Sequence, residues 1–229
     1  MRTIGILGGM SPASTALYYD TLCALTRDRM GPRHAPDLLI RSLDFAVVEA
    51  MQSAGDWASA GALLNAEARA LVAGGAELLV LATNTMHKLA QPMMAGVGVP
   101  LVHIADATAA AITARGLTRP GLMATRFTME QDFYLDRLRA AGLAPLVPGA
   151  EDRAQTHRII YDELCAGRVT EAGRRAFEAI ARRLAQAGAD SLILGCTEVG
   201  LLLNDDNVPV PVFDTARIHC ATALDQALA

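Results

Sequence analysis

Residues 76–85 (AELLVLATNT) return 113 positions later as residues 189–198 (ADSLILGCTE). Each copy runs from an Ala and an acidic residue into a short apolar stretch and closes on polar side chains. A second pair of segments keeps nearly the same separation. The run that starts at Gly5 ends in Tyr18-Tyr19, and the run that starts at Gly121 ends in Phe133-Tyr134, with Tyr134 lying 115 positions after Tyr19. Two features that recur in order at nearly one separation point to an internal duplication, the alternative being that any α/β chain offers similar strand-turn-helix pieces. A chain duplicated in this way folds one supersecondary plan twice. Two similar lobes of roughly 100 residues each follow from it.

Short apolar runs alternate with longer amphipathic stretches along the whole chain. Strands are expected at 3–7, 38–42, 78–82, 101–104, 121–124, 144–146, 191–194 and 210–213. Helices are expected at 14–29, 57–73, 104–115, 130–141, 156–166, 171–187 and 216–229. Several of these end near a glycine (Gly74, Gly116, Gly142, Gly167, Gly188), as helix C-termini prefer. Continuous apolar strands between helices imply parallel sheets covered on both faces. The expected fold class is therefore α/β, with two pseudo-symmetric Rossmann-like lobes, each a short parallel sheet flanked by helices. Ligands in such folds bind beyond the carboxyl ends of the strands and between domains, which puts the active site in the interlobe cleft.

Composition narrows the partners. The 229 residues are 52% hydrophobic, 19% charged and only 4% aromatic, enough apolar content for a sizeable core and too much for a disordered chain. A net charge of −4 disfavours nucleic acid and anionic membrane, both of which select a basic face. The opening MRTIGILGGMSPAS has no long apolar region of the secretory type, and no run of about 18 apolar residues is present to span a membrane. Cys23, Cys165, Cys196 and Cys220 form no CxxC and no regular framework, so they read as reduced thiols in a cytoplasmic protein. Lys88 is the only lysine among 20 basic residues.

Under the duplication Thr83 and Cys196 are equivalent, each at the carboxyl end of an apolar strand. Their polar followers are Asn84-Thr85 and Thr197-Glu198, and the helix starts beyond supply backbone N–H groups suited to a carboxylate or an enolate-like oxyanion. The Gly8-Gly9-Met10-Ser11 loop offers a third such start. The candidate carboxylate partners by position are the N–H groups of Met10, Asn84, Thr85, Thr197 and Glu198. Each of these residues also has an ordinary structural reading. A free cysteine after a strand is commonly a small core residue, and a threonine there is commonly an N-cap. Cys23, Cys165 and Cys220 read as packing residues. The glycine loop reads GxxGG rather than GxGxxG, and no Walker lysine follows it. The five histidines (His34, His87, His103, His157, His219) lack metal-ligand spacing, and His87 reads as a surface or capping residue near the Asn84 loop.

The segments 5–10 (GILGGM), 82–87 (ATNTMH) and 194–198 (LGCTE) resemble the three signatures of the aspartate/glutamate racemase superfamily. Segments 125–134 (TRFTMEQDFY) and 211–214 (PVFD) extend the resemblance to essentially the whole chain. Most members carry cysteine at both central positions. Thr83 in the first is similar to the bacterial L-aspartate/glutamate-specific subgroup, as are 83–88 (TNTMHK) and 157–165 (HRIIYDELC). The resemblance implies a cofactor-independent isomerase that takes the α-proton from one face of an amino acid and returns one to the other, with Cys196 and Thr83 as the catalytic pair. It adds Gln52, Thr125 and Arg168 to the substrate shell, and Arg168 could pair bidentately with a carboxylate. A Cys196 thiol tuned to thiolate by helix N-termini would be the base, whereas Thr83 is a far weaker acid. Pyridoxal phosphate would need Lys88, and no phosphate cup accompanies it. The resemblance also implies a homodimer and a C-terminal segment, 214–229, that packs back on the first lobe. The expected lobes are 1–100 with 213–229, and 101–212. A single-cysteine relative of the arylmalonate decarboxylase or maleate isomerase type, or a non-catalytic amino-acid-binding protein, are the alternative readings.

Overall fold

A computed structural model describes residues 1–229. The chain divides into two compact units, Met1–Ile104 with His219–Ala229, and Ala105–Ile218. The first unit holds strands β1 (Ile4–Gly8), β2 (Leu38–Ser42), β3 (Leu78–Leu81) and β4 (Leu101–Val102) in a parallel sheet of order β2-β1-β3-β4. Its helices are α1 (Pro12–Met30), α2 (Phe45–Ala54), α3 (Trp57–Ala73) and the single turn α4 (Ala90–Met93). Helix α5 (Ile104–Ala114) leads into the second unit, where β5 (Pro120–Ala124), β6 (Ser191–Gly195) and β7 (Val212–Asp214) pair in the order β5-β6-β7, again parallel. Its helices are α6 (Arg126–Glu130), α7 (Asp132–Ala140), α8 (Ala150–Asp162) and α9 (Glu171–Gln186); α10 (Thr215–Leu228) starts here and finishes in the first unit. The strand order β1-β3-β4 thus recurs as β5-β6-β7.

Each unit has its own apolar core. In the first, Leu64, Ala68 and Leu71 of α3 pack with Leu79 and Leu81 of β3. In the second, α9 buries Phe177, Ile180, Ala181 and Leu184, the i, i+3, i+4, i+7 stripe of a helix lying on a sheet. All five residues of β1, β5 and β6 are buried, as expected of strands covered on both faces.

Two expected elements are altered. Residues 144–146 form no strand: Leu146 alone bridges Gly121, exchanging backbone bonds with Leu122 and Pro120 at 2.8 Å. Pro145 and Pro148 on either side have no N–H to extend a ladder. The helix expected at 156–166 starts at Ala150 and ends at Asp162, after which a 3₁₀ turn, Leu164–Ala166, follows. Helices α2, α4 and α6 lie where no element was expected. No helix is long and apolar enough to cross a membrane.

Candidate active site

In the first unit the register Leu7↔Leu81 brings the ends of β1 and β3 side by side at the carboxyl edge, and Ala82 N–H donates to Leu7 C=O at 2.9 Å. The loop after β1 is tightly held. Gly9 has φ +86°, and a Cβ there would lie 2.1 Å from Leu43 O, so only glycine fits. Gly9 N–H donates to Thr15 Oγ1 (2.7 Å) and Ser14 N–H to Ser11 Oγ (3.2 Å), while Pro12 opens α1 without an N–H. Two donors of this helix start are therefore already used within the protein. Met10 is buried in the core of this unit.

Thr83 leaves β3 through a tight turn, its N–H donating to Leu81 C=O at 2.8 Å, and the 3₁₀ turn Thr85–Leu89 follows. Thr83 is half-buried, whereas Asn84, Thr85 and His87 are buried. Gln52 reaches this turn from α2, with Nε2 2.8 Å from Met86 Sδ. Its buried Oε1 has no hydrogen-bond partner within the protein.

In the second unit the register Ala124↔Gly195 does the same for β5 and β6, so Thr125 and Cys196 emerge from neighbouring strands. The approach is close: a Cβ on Gly195 would meet Ala124 Cβ at 2.8 Å. Thr125 caps α6 with its carbonyl, which accepts from Thr128 and Met129 N–H at 3.0 Å. Cys196 is half-buried, and its Sγ–H donates to Glu198 Oε2 at 3.0 Å. Thr197 Oγ1 donates to the same oxygen at 2.6 Å. Burial of the sulfur, and then the Glu198 charge and hydrogen bond, raise the Cys196 pKa well above the ordinary thiol value.

That overturns the expectation of a resting thiolate: the Glu198 carboxylate accepts from the sulfur and stabilises S–H, and the Glu198 backbone N–H, which donates to the sulfur, opposes this only in part. Arg168 is exposed, and its Nη2 donates to the carbonyl of Asp162, closing the end of α8. Cys165, read from the sequence as a packing residue, is exposed as a residue; partial desolvation of its sulfur by the surrounding chain, and then the Glu198 charge, push its thiol up to about 12. The expected site residues thus fall into two sets. Met10, Gln52, Thr83, Asn84 and Thr85 belong to the first unit, and Thr125, Arg168, Cys196, Thr197 and Glu198 to the second.

Residues 7–223 match the Asp/Glu/Hydantoin racemase family. The chain belongs to this family. Membership places it among the isomerases, as a racemase of the amino-acid type. The fold of a candidate Asp/Glu racemase from Yersinia pestis is similar over 100% of both chains, with 43% identity and a TM-score of 0.94. An aspartate racemase homologue from Pyrococcus horikoshii OT3 is 35% identical over 100% of both chains, at a TM-score of 0.88. The aspartate racemase of Picrophilus torridus, 20% identical with a TM-score of 0.79, covers 99% of this chain and 94% of its own, a likeness of fold alone.

Proposed function

We propose that the protein is a cofactor-independent racemase of the aspartate/glutamate type, in which Cys196 and Thr83 act on opposite faces of one α-carbon. The observation that carries the reading is the 3.0 Å thiol–carboxylate pair Cys196–Glu198, at a position equivalent, in the duplicated plan, to Thr83. Glu198 takes the proton from Sγ, and the resulting thiolate takes the α-proton of the substrate. The carbanion then receives the Thr83 hydroxyl proton on its other face. Water restores the proton to Thr83, and Glu198 gives the proton it took from Sγ to the hydroxide left behind, so that Cys196, now carrying the α-proton, is again S–H and Glu198 again a carboxylate. Every bond broken is matched, and no external acid or base is consumed.

Backbone N–H groups at Met10, Asn84, Thr85 and Thr197 would meet the substrate carboxylates, with Thr125 and Arg168 in the same shell. The unpartnered, buried Oε1 of Gln52 suits the substrate ammonium, since an orphaned acceptor costs about 1–3 kcal/mol until something donates to it. With the ammonium on Gln52, the Glu198 carboxylate is left to serve the thiol. A pyridoxal phosphate route would need Lys88, whose Nζ instead lies 3.9 Å over the Trp57 ring. Free thiols at all four cysteines suit a reducing, cytoplasmic setting. A homodimer completes the proposal, to be checked by sedimentation.

The reading is tested by incubating each hand of aspartate, glutamate and homoserine with the protein and separating enantiomers to completion. At least one amino acid is expected to reach an L:D ratio of one from both sides, with unequal initial rates because threonine is the poorer base. A mixture that stops far from one contradicts a racemase. The single thiol at Cys196 also fits a decarboxylase or isomerase of the same fold. Carbon dioxide release from a malonate-type substrate, without racemisation, would select the decarboxylase.

A further inference from the structure

Three imidazoles are buried together beneath the Thr83 turn. His87 and His103 meet edge-on with centroids 4.5 Å apart, and His219 lies 5.6 Å from His87. The hydrogen bonds of His87 fix both its charge and its tautomer. Its Nε2 receives the Ile104 N–H at 3.2 Å, and its Nδ1 is 2.7 Å from the Thr83 carbonyl. An amide N–H can only donate and a carbonyl can only accept, so Nε2 is bare, Nδ1 carries the proton and the ring is neutral. The ring behind it is anchored at both nitrogens: His219 Nε2–H donates to Val102 C=O (2.7 Å), and Nδ1 lies 2.8 Å from Tyr18 Oη.

We propose that His87 is a positioning residue that aims the Thr83 hydroxyl; the proposal rests on the racemase reading above. Thr83 N–H is held by Leu81, and Thr83 C=O by His87. With both flanking peptide planes fixed, the Cα–Cβ direction is fixed too, and a β-branched side chain has few χ1 wells left to occupy. The second unit shows why the device sits on this side. The position equivalent to His87 is Gly200, so no ring supports Cys196, which has Glu198 instead. The Cys196 carbonyl is held by the Val199 N–H at 3.1 Å, and its thiol has its own carboxylate. A hydroxyl that must deliver its proton unaided to a short-lived carbanion needs its carbonyl anchored by a rigid ring, because misplacement by about 1 Å can cost 10²-fold.

The test uses two variants that each keep one of the two hydrogen bonds. His87→Asn keeps a donor near the Nδ1 position for Thr83, and His87→Gln keeps an acceptor near the Nε2 position for Ile104. Turnover of L-aspartate in deuterated water is read as two products: deuterated D-aspartate, which requires Thr83, and L-aspartate deuterated without inversion, which requires only Cys196. The expected result is that His87→Gln lowers inversion tenfold or more while non-inverting exchange persists, and that His87→Asn restores the wild-type ratio. Parallel loss of both products in His87→Gln, or an Asn variant no better than the Gln variant, would overturn the proposal. Wild-type protein that neither exchanges nor inverts any of the amino acids named above overturns the racemase reading itself. Should a variant fail to fold, ¹⁵N NMR of the His87 ring in the wild-type protein decides. A neutral, Nδ1-protonated ring is expected, and a cationic or Nε2-protonated one overturns the assignment.

Discussion

Cys196 and Thr83 occupy matching places in the two copies of one motif and differ in how readily they part with a proton. Cys196→Ser is expected to lower kcat/KM by about 10²–10⁴-fold, the usual contribution of a general acid–base group. Thr83→Cys is expected to speed the reaction of the hand that Thr83 must deprotonate, because a thiol is the stronger acid and its anion the accessible base; chiral rate measurements from both hands check this. Glu198 raises the Cys196 pKa by its charge and its hydrogen bond. Glu198→Gln is therefore expected to move the alkylation of Cys196 by iodoacetamide to lower pH, followed site by site by mass spectrometry. Identical alkylation profiles would show that Glu198 does not control the thiol. The duplication made Thr83 and Cys196 legible as a pair. It could not show the thiol held protonated, because that depends on how a 3₁₀ turn folds Glu198 back over Sγ. Nor could it show His87 at work, since its partner Ile104 lies 17 residues away.

Among the secondary-structure elements, glycines set how closely the strand ends approach the loops that carry the site. Gly9 combines φ +86° with backbone atoms of Leu43 at 2.1 and 2.2 Å from any Cβ, so Gly9→Ala is expected to cost about 3 kcal/mol or more. Gly195→Ala, which would press on Ala124 Cβ at 2.8 Å and Leu122 Cδ1 at 2.9 Å, is expected to cost about 1–3 kcal/mol. Gly116→Ala is the comparison: φ is +70° but nothing lies within 4 Å, so about 1 kcal/mol of backbone strain is all that remains. Urea unfolding of the three variants gives the ranking. Helix α3 was readable to its last residue, because Asp56 caps its start and Gly74 follows its end. Helix α2 carries the same punctuation in Asp44 and Gly55, yet at 10 residues it is shorter than the stretch over which helical periodicity stands out. The 144–146 segment erred the other way: its apolar residues suggested a strand, and the flanking prolines limited it to one bridge.

Across the whole molecule, the buried His219 couples folding to pH. His219 is fully buried, and loss of water brings its pKa from 6.5 down to about 4, opposed in part by its bond to Val102. A depressed folded pKa means that the unfolded chain binds the proton more readily. This contribution is complete above about pH 6.5 and is lost progressively as pH falls toward 4, up to about 3 kcal/mol. Thermal unfolding between pH 4 and 7 is expected to show that fall, and His219→Gln to flatten it. The two-fold plan was readable because parallel strands buried on both faces write continuous apolar runs into the sequence. The division at Ile104 and His219 was not, because α5 and α10 each run through it without a break in pattern. The most direct measurement is turnover of the racemised amino acid, with aspartate tried first, in deuterated water, without added cofactor, with products separated by hand and weighed by mass spectrometry. Product of the opposite hand is expected to carry one deuterium at the α-carbon and to form at least about 10²-fold more slowly in Cys196→Ser. Opposite-hand product that retains its original α-proton, or that forms at close to the wild-type rate in Cys196→Ser, would contradict two-base transfer through Cys196 and Thr83.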